Sequence, residues 1–102
     1  MIKFNVWNCE IKKEKYSDNG RVALQLVAAD DDEMNEVYKG EPIAMATVNL
    51  PYIPLEKNEV GIKDYSENEG MLKALVNAGV VKDTGKYVLT GFVRIPICKL
   101  LI

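Results

Sequence analysis

Apolar and polar residues alternate from the start of the chain. Ile2, Phe4 and Val6 share one parity and Lys3 and Asn5 the other, which predicts a half-buried strand over Ile2–Trp7. Asn8-Cys9 is then the expected turn. Glu10–Tyr16 follows, with Lys12, Lys13 and Lys15 around a single aliphatic residue, Ile11. A strand so rich in lysine suits a sheet edge, where charge discourages pairing with other chains. Asp18-Asn19-Gly20 marks a hairpin, because Asn and Gly accept positive φ. Both parities of Arg21–Ala29 are largely apolar, so this strand is expected at the centre of the sheet. After a polar loop, Asp30–Gly40, the segment Ile43–Leu50 reads as another strand. Pro51 and Pro54 stop it, since neither can donate to a ladder. A short strand is expected over Glu59–Asp64, around Val60 and Ile62.

One helix is expected, from about 67 to 78. Ser66 and Glu69 have the spacing of a capping box, in which each side chain satisfies an orphan amide of the other. Met71, Leu72, Leu75 and Val76 recur at helical spacing as one buried stripe, and Gly79 stands where a left-handed residue ends a helix. Gly70 inside such a helix costs about 1 kcal/mol against alanine, which implies that something else needs that position small. A turn at Asp83-Thr84-Gly85, a short strand around Tyr87–Leu89 and a final strand over Gly91–Ile97 complete the chain. Pro96 places that last strand at an edge or a bulge. The expected fold is α+β: a small antiparallel or mixed sheet of five to seven strands with the helix packed on one face, in a single domain over residues 1–102.

Composition narrows the function classes. The 102 residues, 48% hydrophobic and 27% charged, suit one ordinary domain. A net charge of −2 offers no clustered basic excess for tracking phosphates. The chain has no histidine, which removes histidine acid–base chemistry, Ser-His and Cys-His nucleophile pairs and histidine metal ligands. Cys9 and Cys98 are read as two reduced, buried thiols. Lys99 beside Cys98 favours a depressed thiol pKa, but nothing supplies the rest of a catalytic set. No stretch approaches the ~20 apolar residues of a membrane span, and Lys3, Asn5 and Asn8 interrupt any leader-like run. The expected location is the cytoplasm.

Several constellations have both a functional and a bland reading. Asp30, Asp31, Asp32 and Glu33, followed by Asn35 and Glu36, form the densest acidic cluster. A calcium loop would use such oxygens, but Met34 falls at the third ligand position and no glycine follows it. A solvated loop is favoured, with a partner-facing acidic patch next and a metal site last. Asp64, Glu67 and Glu69 at the helix start are read as dipole and cap groups rather than as an acid/base pair. Trp7 is either an exposed binding anchor or the cover of a second apolar surface, and cover is favoured. Tyr52 and Tyr65, in loops, are weaker anchor candidates. There is no Walker motif and no Gly-x-Gly-x-x-Gly. No catalytic, cofactor or metal residue is assigned.

Four phrases in combination resemble a known group. They are Asn19-Gly20-Arg21-Val22-Ala23-Leu24, Thr47-Val48-Asn49-Leu50-Pro51, Lys63-Asp64-Tyr65-Ser66-Glu67-Asn68-Glu69-Gly70 and Gly91-Phe92-Val93-Arg94-Ile95-Pro96. The chain resembles, over nearly its whole length, a family of short proteins of unknown function carried on phages, plasmids and conjugative elements of gut anaerobic bacteria. Asp31–Lys39 is longer than that family's pattern. The resemblance transfers no activity and no site residues. Its setting implies a non-enzymatic protein-binding module, with inhibition of a host defence system, such as a CRISPR nuclease, as the specific form. The expected partner is therefore a protein. The rival readings are a nucleic-acid accessory protein using Lys12, Lys13, Lys15 and Arg21, which is ranked below it, and a small enzyme, ranked last. A homodimer through a free sheet edge also stays open.

Overall fold

The first turn comes earlier than the alternation predicts. In the computed structural model, which describes residues 1–102, β1 (Ile2–Phe4) stops at Asn5, whose φ is +52°, and β2 (Trp7–Lys15) starts two residues later. Val6 therefore lies in the turn, 55% exposed, instead of beside Ile2 and Phe4 in the core. Asn tolerates the left-handed region better than other non-glycine residues, so Asn5 bends the chain and Asn8-Cys9 runs straight. β3 (Val22–Ala28) returns after the Asn19-Gly20 hairpin, and β4 (Pro42–Met45) completes an antiparallel sheet in the order β1-β2-β3-β4. β3 is central, as its two apolar faces predict. The lysine-rich half of β2 is an edge in effect, because β1 covers only Trp7–Cys9.

The predicted strand Ile43–Leu50 is divided between two sheets. After β4 the chain passes through Ala46 into β5 (Thr47–Val48). The Ala46 amide donates to Leu24 O at 2.8 Å, in the first sheet. Its carbonyl accepts from Lys63 N at 2.8 Å, just past β6 (Glu59–Ile62) in the second. Ala46 and Thr47 are both buried, which a straight strand with strict alternation would not allow. Thr47 is polar and buried because its hydroxyl is used twice: it meets the Tyr16 hydroxyl at 2.8 Å and accepts the Leu24 amide at 3.2 Å.

The second sheet has the order β5-β6-β8-β7, with β7 (Val81–Thr90) and β8 (Val93–Leu100), again all antiparallel. The architecture is thus two four-stranded sheets and not one sheet of five to seven strands. The Asp83-Thr84-Gly85 signal belongs to a bulge inside β7, where the register shifts between Asp83 and Tyr87. Gly85 takes φ +81° there, and the Thr84 hydroxyl donates to Ile97 O at 2.6 Å. Pro96 sits in a central strand, but one residue beyond the last β6 partner, where its missing N–H interrupts no ladder.

The helix is shorter than expected. A 3-10 turn over Ser66–Asn68 precedes it, Glu69 is extended, and α1 runs only over Met71–Asn77. No capping box forms. Gly70 adopts φ +98°, a conformation costly for any side chain, and this breaks the run that the 67–78 periodicity implied. Nothing lies within 4 Å of where a Cβ would stand, so position 70 is glycine for its backbone conformation and not for the small size that the sequence suggested. The cap comes from Asp64, whose carboxylate accepts the Gly70 and Leu72 amides, each at 3.0 Å. Gly79 ends the helix at φ +74° as predicted. Met71 and Leu75 are fully buried, while Val76 is exposed. They join Leu24 and Leu26 of the first sheet and Val60 and Ile62 of the second in one core. Leu50, Ile95 and Ile97 form a smaller second cluster. No helix is long and apolar enough to cross a membrane.

Candidate functional site

Trp7 opens β2, and the Asn8 carbonyl accepts the Ala29 amide at 2.9 Å. That bond sets the end of β3, and so the start of the acidic loop, against the β2 entry. Trp7, Asn8, Asp30, Asp31, Asp32 and Val37 line one cavity of about 160 Å³. Residues 22 or more positions apart in the chain are therefore brought together by the β2–β3 ladder.

The loop is built, not slack. Asp32 and Val37 exchange backbone hydrogen bonds at 2.8 and 3.1 Å, closing a turn in which Glu36 takes φ +58°. The Asp32 carboxylate accepts the Asn35 amide at 3.2 Å and its side-chain NH2 at 2.8 Å, and Asp31 accepts the Lys39 amide at 2.8 Å. Asp30, Glu33 and Glu36 are left without side-chain hydrogen bonds or ion pairs. Five of the 15 acidic residues lie between positions 30 and 40, against one of the 13 basic ones, Lys39. The three ion pairs of the protein, Lys12–Glu14, Lys63–Glu67 and Lys86–Glu59, are all elsewhere. The loop's negative field is consequently uncompensated from within. Met34 at its tip and Tyr38 on its return are both exposed; neither stood out in the sequence, since a single apolar residue in a polar loop carries no periodic signal.

Trp7 itself is half-buried against the main core. Its indole Nε1 is the one buried side-chain polar atom with no hydrogen-bond partner in the protein. A buried N–H left unpaired costs about 1–3 kcal/mol, so a group that accepts from it would be favoured here. Trp7 thus packs against the core and also lines the cavity.

The other candidates lie apart from this cavity. Glu33 lines a neighbouring cleft with Glu36, Val37 and Tyr38. Tyr52 is exposed in the loop after β5. Tyr65 packs on the second cluster, with Lys63 Nζ 5.8 Å from its ring centre. Glu67 pairs with Lys63 at 2.7 Å, and that contact holds its carboxyl below the usual range. A shallow cleft of about 290 Å³ between the β1–β2 turn and α1 is larger, but Lys3, Glu69 and Lys73 give it mixed charge. No three His, Cys, Asp or Glu side chains are gathered closely enough to hold a metal ion.

Both cysteines are free and buried. Their chemistry runs opposite to the depressed pKa that Lys99 suggested. Burial, then the carboxylates of Asp83 and Asp64, push the Cys98 thiol up to about 12 from its ordinary 9.0. Neighbouring residues of a strand point to opposite faces, so Lys99 is exposed while Cys98 points into the core. A raised native pKa gives a stabilising term fully present below pH 9.0. Above that, the unfolded chain loses its thiol proton while the folded chain keeps it, so stability should fall as pH rises from 9.0 towards about 12. Denaturant melts across that window check this: Cys98→Ala should remove one proton from the slope.

The fold and site together define a two-sheet antiparallel α+β protein with an aromatic, acid-walled cavity at one sheet corner. No protein-family model, curated protein or solved structure matches the chain.

Proposed function

We propose that the protein is a non-enzymatic, cytoplasmic protein-binding module whose acidic loop and Trp7 receive a basic segment of a partner. The observation that carries this reading is the shared cavity of Trp7, Asp30, Asp31 and Asp32, in a loop whose carboxylates have no cationic partner in the chain. A lysine or arginine side chain would meet a ring face and carboxylates at once, a pairing worth more than either contact alone. Long-range attraction would also speed the encounter.

Carriage on a mobile element, which the resemblance implies, gives the reading its specific form: an inhibitor of a host defence nuclease. Nucleases hold nucleic acid in lysine- and arginine-lined channels, and an acidic projection complements such a surface. The nucleic-acid accessory reading has less to stand on. Arg21 donates to the carbonyls of Leu50 and Ile53, Lys12 pairs with Glu14 at 3.2 Å, and Lys13 reaches Ile102 O at 3.1 Å. A gel shift that appears at low salt and fades with added salt would favour it instead.

Trp7 is the single tryptophan, so its fluorescence reports on the cavity directly. Titration with an arginine-rich peptide should shift the emission at low salt, and an acidic peptide should not. Asp30→Asn should weaken binding by about 5- to 10-fold, corresponding to the loss of one charge-assisted contact, with no loss of folding because Asp30 bonds to nothing. Unchanged emission, or binding indifferent to salt and to Asp30→Asn, would reject the proposal.

A further inference from the structure

The sheet edges differ in how they are protected from pairing. β1 and β4 are three and four residues long, β4 begins with Pro42, β5 has two residues, and the open part of β2 carries Lys12, Lys13 and Lys15. Shortness, proline and lysine are the usual guards of an edge. β7 is the outer strand of its sheet, and beyond its bulge the run Tyr87-Val88-Leu89-Thr90 has no charge, no proline and no glycine. Lys86, next to that run, is drawn away from the edge: it reaches across β8 to Glu59 on β6 at 2.5 Å. Its contact, with that of the Glu56 amide, holds the Glu59 carboxyl below its usual range.

The phase of the ladder determines which backbone groups face outward. On β8, the Leu100 amide bonds towards β6, reaching Asn58 O at 2.7 Å, and Ile97 O accepts the Thr84 hydroxyl on the β7 side at 2.6 Å. Hydrogen-bonding direction alternates along a strand, so Ile95 and Val93 bond towards β7. Their partners are Val88 and Thr90. Tyr87 stands opposite Pro96, which has no N–H to give. Tyr87 and Leu89 therefore turn their N–H and C=O groups away from β8, into solvent. Their side chains are 49% and 72% exposed, while Val88 packs inward on the second cluster.

We propose that β7 pairs with β7 of a second copy, antiparallel, about a two-fold axis at Val88. In that register Tyr87 of each copy faces Leu89 of the other, which satisfies all four outward groups with four N–H···O bonds. The flanking pairs are Lys86 with Thr90 and Gly85 with Gly91, so no like charges are opposed. The exposed Tyr87 and Leu89 side chains become cross-strand neighbours, and the two four-stranded sheets become one of eight. The symmetry is isologous and closes at two copies. An interface of this size is weak and in fast exchange. It uses none of the acidic-loop residues and does not depend on the partner proposed above.

The test is the mass of the intact chain by sedimentation from micromolar to millimolar concentration, with amide exchange in parallel. The 11.4 kDa monomer should approach twice its mass, and the Tyr87 and Leu89 amides should gain protection with concentration while Val88 and Thr90 change little. Leu89→Pro removes an outward N–H without touching the β8 ladder, and Leu89→Lys adds a charge to the edge. Both should stay at 11.4 kDa with unchanged circular dichroism. Monomer mass at every concentration, which would leave the edge for a strand of another protein, overturns the proposal. So does a dimer indifferent to both substitutions.

Discussion

Leu24→Ala should destabilise the protein by about 2–5 kcal/mol, the usual range for truncating a fully buried leucine. Leu24 has no solvent exposure and belongs to the core shared by both sheets and α1. Its neighbours cannot collapse easily into the space. Its own amide and carbonyl are held by Thr47 Oγ1 and Ala46 N, which fixes the β3 backbone at the sheet junction. For a domain of this length each kcal/mol shifts the melting temperature by about 4–8 °C, so the loss should be plain in a thermal melt. A shift under a degree or two would mean that the core is not packed as described.

Arg21→Met should cost about 2–4 kcal/mol: two hydrogen bonds from a charged donor are worth about 1.5–3 kcal/mol each, and the part-buried carbonyls regain some of that from water. Arg21 stands just before β3, and its guanidinium donates to Leu50 O and, at 2.8 Å, to Ile53 O in the loop after β5. The fork thus ties the first sheet to the loop that covers the second cluster. Methionine keeps much of the stem volume and loses the fork, so the two carbonyls lose their donors. Arg21→Lys should recover only part of the loss, because an ammonium cannot reach both carbonyls in one plane. Urea midpoints for the three proteins give the ranking, and equal midpoints for arginine and methionine would reject the role.

Where sequence patterns were local, they were legible. β3 shows its central place in two apolar faces, Asn19-Gly20 shows its turn, and Gly79 shows the helix end. Patterns resting on distant partners were not. Ser66 and Glu69 have capping-box spacing, yet the cap is Asp64, because Gly70 turns left-handed and delays the helix. Ile43–Leu50 alternates well enough for one strand, and nothing in its composition marks Ala46 as the point where it changes sheets. Asn5 bends the chain without a glycine beside it. The site shows the same division. The acidity of Asp30–Glu36 and the singularity of Trp7 stand in the sequence. Their meeting depends on the bond between Asn8 and Ala29, which alternation cannot encode.

The Ala46 junction also bears on how the molecule comes apart. A single residue donates into one ladder and accepts from the other, so neither sheet can fray from that side without releasing its neighbour. Thr47 and Arg21 add further ties within a few residues of the same corner. Opening events that in a looser two-layer protein would be separate, partial excursions are here joined into one transition.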